Sequence, residues 1–341
     1  MARIKIDNLI IFGDSMSDIG NKGDTGLGMF ANAVGLMQVN ALGRFSDGKN
    51  WTDFLWEWAG GISMFRAADP FGPASSAKAQ SLEATLVHRS LTVDSNQDSG
   101  FNRPITYVNY AEGGAMGASD RPSTGLGTFR DQVARFHQEL RARPLVGTTM
   151  FIVWFGLNDL VTNKRPPGTM QQVVLEMFKL MNDLNTLAGG KAHFMLINLP
   201  DPADAARYAK EKTAPLVWGF TKGALLFNKV LAEFAAMGSG KTLLLVDMFT
   251  TLKTLNAELA KHNLVGGAQP GVVPINYPHV GPLVATPPTP VATSDKAHPT
   301  EAVYRLMARH IARTFVTRYE LGTLSKNIVC KGVAVDADLA A

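Results

Sequence analysis

A chain of 341 residues has room for one large domain or two small ones, and 46% hydrophobic against 18% charged residues excludes a disordered chain. The 33 Lys and Arg exceed the 29 Asp and Glu by only four, and no basic cluster is longer than a pair or triplet such as Lys164-Arg165. No nucleic-acid partner is therefore expected. The single cysteine, Cys330, excludes a disulfide framework and any zinc site built on several thiolates.

The first residues, Met1 to Ile10, run straight into an apolar strand without the pattern of a signal peptide, and no apolar run is long enough to span a membrane. The default expectation is a cytoplasmic chain; a mature secreted form would read the same.

Taken in chain order, short apolar runs alternate with longer stretches of helical period. Strands are predicted at Ile4 to Phe12, Ile105 to Tyr110, Met150 to Phe155, Phe194 to Leu199 and Leu243 to Asp247. Each is apolar at successive positions, which suits strands covered on both faces of a parallel sheet. Helices are predicted at Trp51 to Trp58, Phe129 to Leu140, Met170 to Leu187, Phe220 to Met237, Phe249 to Leu259 and Thr300 to Tyr319, with Gly189-Gly190 and Gly238 as stops. The alternation implies right-handed βαβ units. The fold class is thus α/β: a three-layer α/β/α arrangement around a mostly parallel, doubly wound sheet.

Two stretches break the alternation. Residues 61–104 mix polar and apolar residues, and 262–294 hold seven of the 18 prolines, between Pro270 and Pro290. Both are expected to be long loops of a single domain over residues 1–320, followed by a C-terminal tail at 321–341.

In a parallel sheet, ligands bind beyond the carboxyl ends of the strands. Those ends carry Gly13-Asp14-Ser15-Met16-Ser17-Asp18, then Glu112-Gly113-Gly114, then Gly156-Leu157-Asn158-Asp159. Asp295-Lys-Ala-His298-Pro299-Thr300 precedes the last helix. A serine hydroxyl becomes a nucleophile when a base takes its proton and a third group orients that base. Ser15, His298 and Asp295 can fill those three roles. The N–H of Ser15, the N–H of Gly114 and the side-chain amide of Asn158 can serve as oxyanion donors, each worth about 2.7–4 kcal/mol of transition-state stabilisation. Gly113 stands beside Gly114 as the alternative. Read singly, Ser15 also suits a helix N-cap and His298-Pro299-Thr300 a helix opening. Asp14 and Asp18 read as braces for the Ser15 turn, and Asp159 as a helix cap.

These four blocks, in this order, resemble the GDSL esterase/lipase family of the SGNH hydrolases. Gly43-Arg44-Phe45-Ser46-Asp47-Gly48, followed by Asn50-Trp51-Thr52-Asp53, resembles the stretch after the first block in its lipolytic branch, and the likeness runs from about residue 8 to about 315. It implies a flavodoxin-like three-layer fold, Ser15, His298 and Asp295 as triad, an oxyanion hole from Ser15, Gly114 and Asn158, and no metal or organic cofactor. Met16 replaces the usual Leu, a volume-conserving change. Glu112 is unusual beside the oxyanion glycines and is expected to face away from the site.

The activity expected is hydrolysis of acyl esters, lipid-like or small, with phospholipase A-like activity included, through an acyl-Ser15 intermediate. Transfer of the acyl group to an alcohol is the enzymatic alternative, and a binding module with a dead site the non-enzymatic one. Phe65, Phe71, Phe101, Tyr277 and Val280 are candidates to wall an acyl pocket. Two decoys fall away. Gly238-Ser-Gly-Lys-Thr242 precedes a strand where a phosphate loop would open a helix, and Gly23 to Gly28 lacks dinucleotide spacing.

Overall fold

The computed structural model describes residues 2–24, 39–40, 43–46, 48–59, 91–93, 105–118, 127–142, 144–208, 210–211, 213–237, 242–259, 297–322 and 324. Within them, five parallel strands carry the architecture: β2 (Asn8–Gly13), β4 (Ile105–Asn109), β5 (Thr149–Trp154), β6 (Ala192–Ile197) and β7 (Leu243–Val246), side by side as β4-β2-β5-β6-β7. The order reverses at β2, so a crevice opens beyond the carboxyl ends of β2 and β5. The predicted fold class holds.

Both faces of the sheet are covered, which is why its strands are apolar at successive positions. On one face Leu9, Ile11, Tyr107, Ile152 and Trp154 pack with α1 (Trp51–Trp58) and α6 (Glu301–Val316). On the other, Ile10, Phe12, Val108, Phe151 and Val153 pack with α2 (Phe129–Ala142), α3 (Met170–Leu187) and α4 (Pro215–Met237). A further helix, α5 (Met248–Leu259), follows β7 and contributes Met248 to the first core. That core continues past residue 320 to the buried Leu321 and Leu324.

Three departures from the sequence reading have local causes. The first predicted strand divides into β1 (Ile4–Lys5) and β2, because β1 pairs with β8 (Tyr319–Glu320) in a sheet of its own. Asp7, at the break, uses its carboxylate to accept the Thr148 N–H at 2.7 Å. The stretch 61–104, expected to be a loop, contains β3 (Leu91–Val93), antiparallel on the β4 edge. Three residues of strand are too few for a period to show. α4 begins at Pro215, five residues before the predicted start, since proline opens a helix without losing a hydrogen bond. Loop 262–294, Gly238 and residues 325–341 of the tail lie outside the described residues.

One buried ion pair ties the outer layer to the strand ends. Asn50 caps α1, accepting from Thr52 N–H, while the Asp53 side chain accepts from Asn50 N–H, a reciprocal capping box. Asp53 also receives Arg44 through two bonds, at 2.7 and 3.2 Å, and Arg44 Nη1 donates to the Ile19 carbonyl at 2.7 Å. Arg44 and Asp53 are each 1% exposed. Removing one partner strands the other as a buried charge. Arg44→Met is expected to lower unfolding free energy by about 3–5 kcal/mol in urea titrations; a loss under about 1 kcal/mol would mean that this pair does not anchor the segment after β2.

Candidate active site

Gly13 ends β2 with both backbone groups held by one side chain. Its N–H donates to Gln132 Oε1 at 3.1 Å, and Gln132 Nε2 donates to its carbonyl at 2.8 Å. The chain then turns sharply. Met16 N–H donates to Asp14 Oδ1 and Ser17 N–H to the Asp14 carbonyl, both at 3.0 Å. Ser15 sits at the crest of this turn.

A second set of bonds fixes the residues just past the crest. Asp18 accepts from the backbone N–H groups of Gly20, Asn21, Lys22 and Gly113. Asn21 donates to the carbonyls of Asn109 and Ala111, Asn109 donates to the Ser17 carbonyl, and Trp51 Nε1 donates to Ser17 Oγ. The ends of β2 and β4 are thereby bound into one rigid platform.

His298 comes from the far end of the chain, two residues before the Thr300 cap of α6. Its Nε2 lies 2.8 Å from Ser15 Oγ, a hydrogen bond between residues 283 positions apart. The Phe45 ring packs 5.0 Å from the imidazole. Tyr304 Oη donates to the Phe45 carbonyl at 3.4 Å, and Lys49 N–H donates to Glu301 Oε2 at 3.1 Å, so the start of α6 is pinned to the 44–50 segment. Asp295 lies outside the described residues.

The other candidates converge from neighbouring strand ends. Asn158 Nδ2 donates to the Ala115 carbonyl at 3.1 Å and lies 3.4 Å from Asp14 Oδ2, so its amide bridges the residues flanking Gly114 and Ser15. Thr162 Oγ1 donates to Asn158 Oδ1 at 2.9 Å, which turns the NH₂ inward. Gly114 adopts φ +81°, a backbone conformation that favours glycine. Its N–H, like that of Ser15, bonds to no described group, whereas the Gly113 N–H is already given to Asp18 at 2.7 Å. Of the two glycine N–H groups, that of Gly113 is thus engaged and that of Gly114 is not.

Two carboxylates flank these donors. Glu112 is engaged by Lys22 at 3.1 Å and Arg135 at 3.2 Å, so its charge is balanced at the side of the site. Asp159, read from sequence as a helix cap, instead reaches across to accept the N–H groups of Gly117 and Ala118 at 2.8 and 3.0 Å. The cap reading fails because Asn158–Thr162 is a single π-helical turn with Asp159 inside it, facing the loop after β4. Burial lifts the Asp159 carboxyl to about 6 and the Asp14 carboxyl to about 7, against the pull of their backbone donors. Gln132 is the main site residue that sequence reasoning misses. The available signal is a polar side chain, fully buried here, three residues after Phe129 on the apolar stripe of α2.

Phe65, Phe71, Phe101, Tyr277 and Val280 lie outside the described residues, and among those described no group of three His, Cys, Asp or Glu could hold a metal ion.

A serine and an imidazole thus meet at the switch point of a doubly wound α/β sheet. The family model for GDSL-like Lipase/Acylhydrolase matches residues 9–311, and the chain belongs to that family; it is a carboxylester hydrolase. No curated protein matches in sequence. Among solved structures, a lipolytic G-D-S-L family member from Veillonella parvula is 12% identical over 91% of this chain and 98% of its own, with TM-score 0.41. A GDSL-like lipase described from Parabacteroides merdae is 14% identical over 91% and 96%, with TM-score 0.42. An acetylxylan esterase from Geobacillus stearothermophilus is 14% identical over 92% and 96%, with TM-score 0.44.

The raised Asp14 carboxyl couples stability to pH. Unfolded, it ionises near 3.8; folded, at about 7. Between those values the folded state holds the extra proton, so stability falls as pH rises and levels off above the folded value. Asp14→Asn removes this titration. Relative to wild type, the variant is expected to gain about 1–3 kcal/mol between pH 5 and pH 7 in urea titrations. A constant difference across that range would place the Asp14 ionisation elsewhere.

Proposed function

We propose that this chain hydrolyses acyl esters through a covalent acyl-Ser15 intermediate. His298 acts as general base and acid, Asp295 orients it, and the N–H groups of Ser15 and Gly114 with the Asn158 amide form the oxyanion hole. The observation that carries this reading is the 2.8 Å contact between Ser15 Oγ and His298 Nε2.

The chemistry starts from that contact. As Ser15 Oγ bonds to the ester carbonyl carbon, its proton passes to His298 Nε2, which only a neutral imidazole can accept. The carbonyl oxygen takes up the negative charge and meets donors that are fixed beforehand. The tetrahedral centre collapses, the bond to the alkoxy oxygen breaks, and the imidazolium returns its proton to the leaving alcohol. Water then attacks the acyl carbon with His298 again as base. Ser15 recovers its proton and the carboxylic acid departs.

The support for Gly114 over Gly113 is that the Gly113 N–H is already donated to Asp18. The support for Asn158 is that it stands at the strand end next to Ser15 with only one amide hydrogen firmly given, to the Ala115 carbonyl at 3.1 Å. The contact to Asp14 Oδ2 is long, at 3.4 Å, which leaves the second hydrogen able to turn to a substrate oxygen.

Labelling with a fluorophosphonate probe tests the nucleophile: wild type is expected to label and Ser15→Ala not at all, and equal labelling would refute Ser15. For the oxyanion hole, Asn158→Ala is expected to lower kcat on a p-nitrophenyl ester by about 10²–10³ with little change in KM. A change confined to KM would remove Asn158 from the oxyanion hole.

A further inference from the structure

Phe45 is half-buried and belongs to neither of the two apolar cores. Its ring instead touches two parts of the candidate site. Its centroid lies 5.0 Å from that of the His298 imidazole, with the two planes tilted by 37°, which is the range of a packed ring pair. The tip of the same ring abuts the glycine turn after β4, where a Cβ on Gly113 would strike Cζ and Cε2 of Phe45.

That turn carries the Gly114 N–H. Ala115 N–H donates to the Glu112 carbonyl at 3.0 Å, which closes a four-residue turn with Gly113 and Gly114 at its centre. Gly114 is in the left-handed region, whereas Gly113 is not, so the backbone alone does not require glycine at 113. The missing side chain at Gly113 answers a different need, which is room for the Phe45 ring.

Neither partner is free to drift. The Gly113 N–H is held by the Asp18 carboxylate at 2.7 Å. The Phe45 carbonyl accepts from Tyr304 Oη at 3.4 Å, and both neighbours of Phe45 are tied down. Arg44 bonds Asp53 and the Ile19 carbonyl, and Ser46 Oγ accepts the Gly48 N–H at 3.2 Å. A ring pushed off Gly113 therefore changes its packing on the imidazole. Reacting groups displaced by about 1 Å can lose about 100-fold in rate, so a contact that registers the base against the oxyanion turn acts on turnover.

We propose that Phe45 is a positioning residue, whose ring sets the His298 imidazole and the Gly113-Gly114 turn in register with each other. The role rests on the functions given above to His298 and Gly114. Phe45→Ala is expected to lower kcat on p-nitrophenyl acetate by about 10- to 100-fold, with KM moving less than about threefold. Gly113→Ala drives a methyl into the ring and is expected to lower kcat by a similar factor. With Phe45→Ala already present, the same methyl has room, and Gly113→Ala is expected to cost less than about threefold more. Urea titrations show that each variant is folded, and Phe45→Leu, expected to fall between wild type and Phe45→Ala in kcat, gives the same readout where the alanine variant does not fold. The proposal is overturned if the Phe45 variants keep the wild-type kcat, if they change KM alone, or if the Phe45→Ala and Gly113→Ala losses simply multiply. Ser15→Ala separates the two claims. Turnover by that variant at the wild-type rate would sink the catalytic reading and the role of Phe45 with it, whereas an inactive Ser15→Ala beside an unimpaired Phe45→Ala overturns the role of Phe45 alone.

Discussion

The hydrogen bond between Ser15 and His298 closes a loop of 283 positions and is the contact on which the site depends. Neither end reaches it by local structure alone. Ser15 is presented by a turn whose geometry is imposed by Asp14, Gln132 and Asp18, while His298 is delivered by α6, whose first turn is docked on the 44–50 segment through Glu301 and Tyr304. The Arg44–Asp53 pair links these two supports, since Arg44 also bonds the Ile19 carbonyl just beyond the Ser15 turn. A polar network of this kind is effective when every member is satisfied, because a single unpaired group in a dry interior costs more than a typical bond contributes.

The same requirement explains the density of buried acids around the site. Asp14, Asp18, Asp53 and Asp159 are each 2% exposed or less. Three of them use both carboxylate oxygens, Asp18 and Asp159 on backbone N–H groups that no helix or strand satisfies and Asp53 on Arg44 and the Asn50 N–H. Strand ends are where such orphan amides accumulate, and short carboxylates are the side chains that can answer several of them at once. Asp14 is the exception. One oxygen holds the turn, while the other lies at long range from the Asn158 amide; burial lifts the Asp14 carboxyl to about 7, and lifts that of the fully bonded Asp18 as far. The protein thus carries carboxyls that disfavour ionisation within three residues of Ser15, as functional sites often do.

Much of this is legible in the sequence because the signals are local. The strands of the sheet announce themselves as uninterrupted apolar runs, and Trp51–Trp58 and Met170–Leu187 are helices with clean boundaries. Ser15, Gly114, Asn158 and His298 stand at strand ends or a helix start, where βαβ order directs attention, and the family blocks align with them. What escapes the sequence is non-local. Nothing near Ile6-Asp7 says that β1 will pair with residues more than three hundred positions away. The destination of the Asp159 carboxylate depends on a loop some forty residues earlier. Gln132 is visible as a polar residue on an apolar stripe, but its partner Gly13 is not.

The most direct test of the catalytic account is to catch the covalent intermediate. Rapid-quench mixing with p-nitrophenyl acetate, followed by proteolysis and mass spectrometry of the peptides, should show an acetyl group that appears and decays within turnover on the peptide carrying Ser15, and on no other. Turnover without an acylated peptide at any time, or acylation at a different residue, would contradict it.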